Sequence, residues 1–200
     1  MNNRELKYIA PGWIALMIFN YYCMDFFFLG IELLLLIFLL FTITIIQLFK
    51  LVKERKKISA QRLRKVLVYT TLFILTLFSW IPNRIIEKAD WHLFYSKRKS
   101  IVKQVESGEL KPNVSHNVCE LPYDFPPVSN GGNDIIIRSN TETNENTIQF
   151  WIFRNFFDSP SPKFIYTTDK ERIIELEKII STHPDNNWKI EENWYRIYNY

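Results

Sequence analysis

Long runs of apolar residues occupy the first part of the chain. From residue 11 to residue 49 the only charged side chains are Asp25 and Glu32. A membrane-crossing helix needs about 20 apolar residues, so this run suits two helices better than one. The pattern predicts spans over residues 8–24 and 29–49. The alternative keeps only the second span and lays the first segment along the membrane surface, which its aromatic and polar side chains would allow.

A third apolar run covers residues 66–80, and Trp80 and Pro82 end it at the opposite interface. A cleavable signal peptide at the N-terminus is the weaker interpretation, because no small-residue cleavage site follows the first apolar run. Residues 1–82 are therefore predicted to form a membrane region of two or three transmembrane helices.

The pattern changes after residue 82. Apolar residues at helical spacing predict a juxtamembrane helix within residues 83–108, with Gly108 just past its end. Several prolines and glycines in residues 112–133 predict an irregular loop. Alternating residues then predict strands over 134–139 and 147–157, joined by a polar turn.

The rest of the chain adds a third strand over residues 163–167 and one helix. Thr168 and Glu171 resemble a capping box that would open a helix from Asp169 to about Ser181. Its predicted buried stripe consists of Ile173, Leu176 and Ile180, joined by Ile174 and Ile179. Two short strands around Glu192 and Asn193 end the chain. Residues 109–200 are thus predicted to form an α+β domain with an antiparallel sheet and one packed helix.

Charge is concentrated in one short segment. The chain has a net charge of +4, but residues 50–65 alone contain eight basic side chains against Glu54: Lys50, Lys53, Arg55, Lys56, Lys57, Arg62, Arg64 and Lys65. Cytoplasmic loops are enriched in Lys and Arg, so this loop is expected to lie in the cytoplasm. The C-terminal domain, which follows the next span, is then expected on the extracytoplasmic side of the membrane. A basic nucleic-acid-binding domain has no support.

Few residues suggest metal binding or catalysis. His116, Cys119, Glu120 and Asp124 come nearest to a metal-ligand cluster, but no second ligand pair follows at a suitable spacing, so no metal or cofactor is expected. The only other cysteine is Cys23, which excludes a disulfide scaffold in the C-terminal domain. No catalytic serine or cysteine motif is present, and residues 129–134 are expected to form a turn before the first strand. The sequence predicts a protein that is not an enzyme.

The acidic residues of the apolar region are Asp25 and Glu32. An acid within a membrane span suggests a functional role. Both can reach the outer interface, however, so solvated positions are expected rather than an ion or proton pathway.

Aromatic residues are abundant in the C-terminal part. In a small domain most of them belong to the core, but aromatics are also enriched at the centres of interfaces. The candidates for a partner-facing patch are Trp151, Trp188, Trp194 and Tyr195. The sequence leaves both possibilities open.

Three segments, ELPYDFPPVSNGGND, FWIFRNFFDSPSPKFIYTTD and NWKIEENWYRI, resemble those of small, uncharacterised bacterial membrane proteins. The resemblance covers residues 84–200 and implies a bacterial origin, without an activity or functional residues.

These observations predict a multi-pass protein of the bacterial cytoplasmic membrane with a tethered extracytoplasmic binding or accessory domain. A membrane immunity protein or an envelope sensor would fit. Its expected partners are the lipid bilayer and another protein at the cell envelope. A transporter or channel subunit is the alternative, and an envelope enzyme comes last.

Overall fold

The computed structural model describes residues 4–23, 26–130, 132–140, 145–153 and 161–198. The chain divides into two compact units, Met1–Lys88 and Ala89–Tyr200. Each unit has its own set of packed residues and is described by itself.

The first unit is helical. It contains α1 (Arg4–Cys23), α2 (Phe26–Lys53), α3 (Ala60–Leu77) and the start of α4 (Trp80–Glu106). Its core is formed by Leu40, Tyr69 and Leu72, with partly buried apolar residues of α1, α2 and α3 packed around them. The indole nitrogen of Trp13 donates a hydrogen bond of 2.9 Å to Thr76 Oγ1 and so links α1 to α3.

Within the described residues, α2 is the one helix that is long and apolar enough to cross a membrane by itself, over residues 30–53 near the N-terminus. A second span is possible only if α3 and α4, which meet at a bend of 78°, count as one. The three helices coincide with the three predicted apolar spans, but α1 and α3 do not individually meet this requirement. One candidate transmembrane helix therefore follows from the fold.

The connection between α2 and α3 is shorter than predicted. Instead of a loop over residues 50–65, α2 continues through Lys53 and α3 begins at Ala60. Ser59 caps α3 by accepting a hydrogen bond of 3.2 Å from the backbone nitrogen of Arg62. Five basic residues of the predicted loop are therefore helical; they are Lys50, Lys53, Arg62, Arg64 and Lys65. Hydrogen bonds from Arg62 to Gln47 and Glu54 join the two helices at this end.

The second unit is an α+β fold, as predicted. Its described strands form one antiparallel sheet in the order β1-β2-β3-β4-β6-β5. The strands are β1 (Val118–Glu120), β2 (Asp134–Asn140), β3 (Glu145–Trp151), β4 (Pro162–Thr167), β5 (Trp188–Glu191) and β6 (Trp194–Tyr198). The unit also contains α4 from Ala89 onwards and α5 (Lys170–Thr182).

Strand β1 lies in the stretch predicted to be an irregular loop. It pairs with β2, with Cys119 opposite Ile135. Three residues bounded by prolines and turns are too few for a visible alternation, so sequence reasoning missed this edge strand.

Strand β3 is central and buried on both faces, as predicted. Residues 146–150 are all buried. The strand ends at Trp151 rather than at residue 157, because residues 152 and 153 leave the sheet. The remainder of the predicted strand, 154–157, lies outside the described residues.

Two helices cover opposite faces of the sheet. On one face the Trp91 ring of α4 lies 4.8 Å from the Phe164 ring and 5.1 Å from the Trp194 ring, measured between centroids. On the other face Leu176 of α5 packs in a cluster with Ile165, Tyr195 and Ile197. The alternation of side chains along each strand separates the two sets.

Two details of the predicted helix are wrong. The cap of α5 is Asp169 and not Thr168, because Asp169 Oδ1 accepts hydrogen bonds from the backbone nitrogens of Glu171 and Arg172. Thr168 instead bonds to Asn146 across the sheet. Ile174 is 69% exposed, because the face of α5 that packs on the sheet is the one that carries Leu176. The helix stop of α4 is as predicted, with Gly108 at a φ of 75°.

Candidate functional site: a cationic patch on the sheet

The most unusual group of side chains in the C-terminal unit surrounds Lys163. Lys163 of β4 pairs with Trp151 of β3, and Arg138 lies on the neighbouring strand β2. Arg172 belongs to the first turn of α5. We call these four residues the cationic patch.

Lys163 is only 7% exposed. Its ammonium nitrogen lies 4.1 Å from the centroid of the Trp151 ring. Burial above all, together with the smaller effect of the nearby charges of Arg138 and Arg172, lowers the pKa of Lys163 to about 8. Within the described residues, a ring and not a carboxylate is its partner.

Arg172 contributes a buried donor. One guanidinium nitrogen pairs with Glu175 on the same helix, but Nε is buried and makes no hydrogen bond within the described part of the chain. Arg138 is exposed on β2. The patch thus combines positive charge with an indole ring, which is a chemistry that attracts carboxylates.

The predicted partner-facing aromatics divide into two groups. Trp151 is half-buried in the cationic patch, and Trp188 is half-buried with the Arg196 guanidinium 4.8 Å from its ring centroid. Trp194 and Tyr195 are 2% and 0% exposed, so their prediction as partner-facing residues is wrong. Trp194 is covered by Trp91 of α4 on one face of the sheet, and Tyr195 packs with Leu176 of α5 on the other.

The predicted metal candidates do not come together. Cys119 is fully buried, whereas His116, Glu120 and Asp124 are exposed. Burial, and to a smaller extent the charge of Asp134, raises the pKa of the Cys119 thiol. Among the described residues no group of three or more His, Cys, Asp and Glu could bind a metal. Cys23 is exposed on α1.

Glu32 lies beside an amide rather than in open solvent. With the amide of Asn20 oriented to donate, its nitrogen is 2.8 Å and 3.3 Å from the two carboxylate oxygens. Asn20 is 4% exposed. This contact connects α1 to α2. Asp25 lies outside the described residues.

The basic residues between α2 and α3 have different surroundings. Arg55, Lys56 and Lys57 are exposed in the connecting turn, but Lys65 is 4% exposed. Arg62 forms an ion pair of 2.7 Å with Glu54. Their shared role in membrane orientation stays a prediction.

The described residues that precede β2 in this segment, 129, 130, 132 and 133, lie in bends and turns, as predicted. Asn133 Oδ1 accepts from the Ser129 backbone nitrogen at 3.0 Å, and its Nδ2 donates to the carbonyls of Tyr123 and Pro126 at 2.9 Å each. The Ser129 hydroxyl accepts from the Trp151 backbone nitrogen at 2.9 Å. The turn therefore supports the end of β3 where Trp151 enters the cationic patch.

Sequence reasoning missed Lys163, Arg138 and Arg172 as members of one site. Alternation along β4 does place Lys163 and Ile165 on the same face. The strand register that brings Lys163 to Trp151 could not be derived from the sequence, because the predicted β3 extended too far.

Comparison with protein-family models, with curated proteins and with solved structures gives no significant match for this chain.

Proposed function

We propose that the chain is a multi-pass protein of the bacterial cytoplasmic membrane whose C-terminal unit is a non-enzymatic binding domain on the extracytoplasmic side. The observation that carries the proposal is the cationic patch around Lys163. Its partner is an acidic segment of another protein at the cell envelope.

The membrane placement is supported by the surface of the helical unit. Large apolar side chains are exposed along α2, as expected for a helix in contact with lipid; they are Leu34, Leu35, Phe38, Leu39, Phe41, Ile45, Ile46 and Phe49. Basic residues cluster where α2 ends and α3 begins. If that end faces the cytoplasm and α3 crosses the membrane, the chain leaves α3 on the opposite side.

The acidic partner is supported by charge complementarity. The patch places three cationic side chains near one another, and burial and mutual repulsion make that arrangement costly for Lys163. A carboxylate bound beside Lys163 and Arg138 would relieve the repulsion. Trp151 would supply apolar contact area, as aromatic residues do at interface centres. An immunity protein that neutralises a toxin would use such a patch, and so would an envelope sensor.

Selection from a random peptide library tests the proposal. The full chain, reconstituted in nanodiscs of zwitterionic lipid, is the target. We expect enrichment of peptides rich in Asp and Glu. Because a desolvated charged hydrogen bond contributes about 1.5–3 kcal/mol, Lys163→Gln or Arg138→Gln should weaken the best peptide roughly 10-fold to 100-fold. Lys178→Gln, on the exposed side of α5, is the matched control. Selected peptides without acidic enrichment, or equal losses in all three variants, would refute the proposal.

A transporter or channel subunit is the second candidate, and Glu32 is the residue on which it rests. The contact of Glu32 with the Asn20 amide suits a structural link between helices. In a transport role, Glu32→Gln should abolish ion flux and leave membrane insertion intact. An envelope enzyme based on His116 and Cys119 has less support, since the first is exposed and the second fully buried.

A further inference from the structure

Lys163 is a buried amine whose neighbours are an aromatic ring and two cations. Its side chain is 7% exposed, and its nitrogen lies 4.1 Å from the centroid of the Trp151 ring. Arg138 and Arg172 are the charged groups that act on it, and both repel its ammonium form. Among the described residues no carboxylate pairs with Lys163. These surroundings favour a form of the side chain that is not positively charged.

Arg172 adds an unused hydrogen-bond donor to the same site. One of its guanidinium nitrogens pairs with Glu175, whereas Nε is buried and has no hydrogen-bond partner in the described part of the chain. A buried donor without an acceptor is unfavourable, so an acceptor bound beside Arg172 would stabilise this arrangement. Arg138 is exposed on β2 and offers further N–H donors. Two guanidinium groups suit a planar carboxylate-like group.

The low exposure of Lys163 limits the reagents that can react at its nitrogen. Carbon dioxide is small and uncharged, so it enters such a site without losing the hydration of a charge. It reacts only with a neutral amine. With a pKa of about 8, roughly one Lys163 side chain in four is neutral at pH 7.5, against roughly one in a thousand for an ordinary lysine.

We propose that Lys163 binds carbon dioxide covalently as a carbamate. The neutral amine attacks the carbon of CO2, a C–N bond forms, one C=O π bond opens to give the carboxylate, and the nitrogen loses one proton to solvent. No oxidant or reductant takes part. The side chain changes from a cation to an anion, so repulsion by Arg138 and Arg172 becomes attraction. The carbamate retains one N–H, which can point at the face of the Trp151 ring.

This inference does not rest on the proposed function, because the carbamate forms in the free chain without a peptide. The two are nevertheless related in their consequence. A carbamate replaces a positive charge of the cationic patch by a negative one, so carbon dioxide would oppose the binding of an acidic partner.

Trapping with the triethyloxonium ion tests the proposal, because this reagent converts a carbamate to a stable ethyl ester. The full chain in nanodiscs of zwitterionic lipid is incubated with isotopically labelled bicarbonate, trapped, digested with chymotrypsin and examined by mass spectrometry. We expect the labelled ester at Lys163. Lys178, on the exposed side of α5, should carry at least roughly 10-fold less at pH 7.5, because a solvated lysine is almost entirely protonated.

Two variants test the role of the guanidinium groups. Arg172→Gln removes the buried donor, and Arg138→Gln removes the second charge at an exposed position. Each should lower the labelled fraction of Lys163 roughly 5-fold to 10-fold, because a charge-assisted hydrogen bond to the carbamate is lost. Lys178→Gln is the matched control and should leave the label unchanged. If Arg172→Gln loses the native near-UV circular dichroism spectrum, Arg138→Gln decides.

A peptide with a free α-amino group is the positive control, because such a group has a pKa of about 7.7–8 and forms carbamates readily. If that peptide is labelled and Lys163 carries no more label than Lys178, the proposal is overturned. Unchanged label at Lys163 in the arginine variants, or an equal loss in Lys178→Gln, would also overturn it. None of these results changes the outcome of the peptide selection, so the two proposals are tested separately.

Discussion

Lys163 and Trp151 face each other across β4 and β3, with the ammonium nitrogen 4.1 Å from the centre of the indole ring. The ring partly compensates a lysine that is 7% exposed. The pKa of Lys163 nevertheless falls to about 8 from 10.5, chiefly because burial disfavours the charged form. The buried charge of Lys163 therefore lowers the free energy of unfolding at neutral pH, as expected for a residue that is retained for binding.

Replacing Lys163 should stabilise the protein. Lys163→Met keeps the length of the side chain and removes the buried charge. From the lowered pKa, its free energy of unfolding at pH 7 should exceed that of wild type by about 1–3 kcal/mol. Chemical denaturation followed by tryptophan fluorescence measures the difference.

The pH dependence of this difference in unfolding free energy tests whether the buried charge of Lys163 causes it. Below pH 8 the lysine is charged in both folded and unfolded chains. Between about 8 and 10.5 the unfolded chain binds more protons, so wild-type stability rises with pH relative to Lys163→Met. The gap should shrink across this window and disappear above it. A gap that does not change with pH would contradict the role of burial.

Arg98 and Asp90 form a second buried contact, on α4. Arg98 Nη2 lies 2.6 Å from Asp90 Oδ2, and the side chains are 1% and 3% exposed. Arg98 also donates to the Val128 carbonyl at 2.8 Å. Asp90→Asn leaves the buried guanidinium without its counter-charge and should cost about 3–5 kcal/mol of unfolding free energy. Near-UV circular dichroism during denaturation measures it.

The double variant Asp90→Leu/Arg98→Met provides the control. It removes both charges, so it should recover most of the lost stability. If Asp90→Asn costs less than about 1 kcal/mol, the ion pair does not stabilise the contact between α4 and the sheet.

Two asparagines at positive φ should respond differently to substitution. Asn133 has a φ of 57° and Asn193 a φ of 62°. Asn133 is 1% exposed and makes three side-chain hydrogen bonds. Asn133→Ala should therefore cost about 3 kcal/mol or more. At the β5–β6 turn, Asn193→Gly should change stability by about 1 kcal/mol or less, because glycine adopts this conformation freely. Similar costs at both sites would contradict the account of the turn.

Replacing Trp194 should destabilise the protein more than replacing Trp188. Trp194 is 2% exposed and contacts Trp91, Phe150 and Tyr166. Trp194→Ala should cost about 3–5 kcal/mol, whereas Trp188→Ala, at a half-buried edge position, should cost less than half as much. Thermal unfolding of both variants measures this. A small effect at Trp194 would return it to the candidates for partner contact.

The sequence predicts the secondary structure of this chain better than its packing. Hydrophobic runs locate α1, α2 and α3, and alternation locates β2, β4 and the final hairpin, because local patterns determine those elements. Strand β1 escaped detection because its pairing with β2 is not local. The same limit explains Ile174, whose exposure depends on how α5 is rotated against the sheet.

The candidate sites were largely beyond prediction. Trp151 was identified, but Lys163 requires the register of β3 against β4, and Arg172 requires the position of α5. Lys65 belonged to the predicted cytoplasmic loop, and in the structure it is a buried residue of α3. In each case the charge is evident in the sequence, and the residues around it depend on tertiary contacts.

Thiol labelling in intact cells is the most direct test of the central claim, that the binding domain is extracytoplasmic. Cys119 is a poor reporter, because it is fully buried and its thiol pKa is raised. In a Cys23→Ala background, Lys178→Cys on the exposed side of α5 and Lys56→Cys in the α2–α3 turn are better. We expect a membrane-impermeant reagent to label position 178 in intact cells and position 56 only after permeabilisation. Labelling of position 56 in intact cells, with position 178 protected until permeabilisation, would place the domain in the cytoplasm and contradict the proposed function.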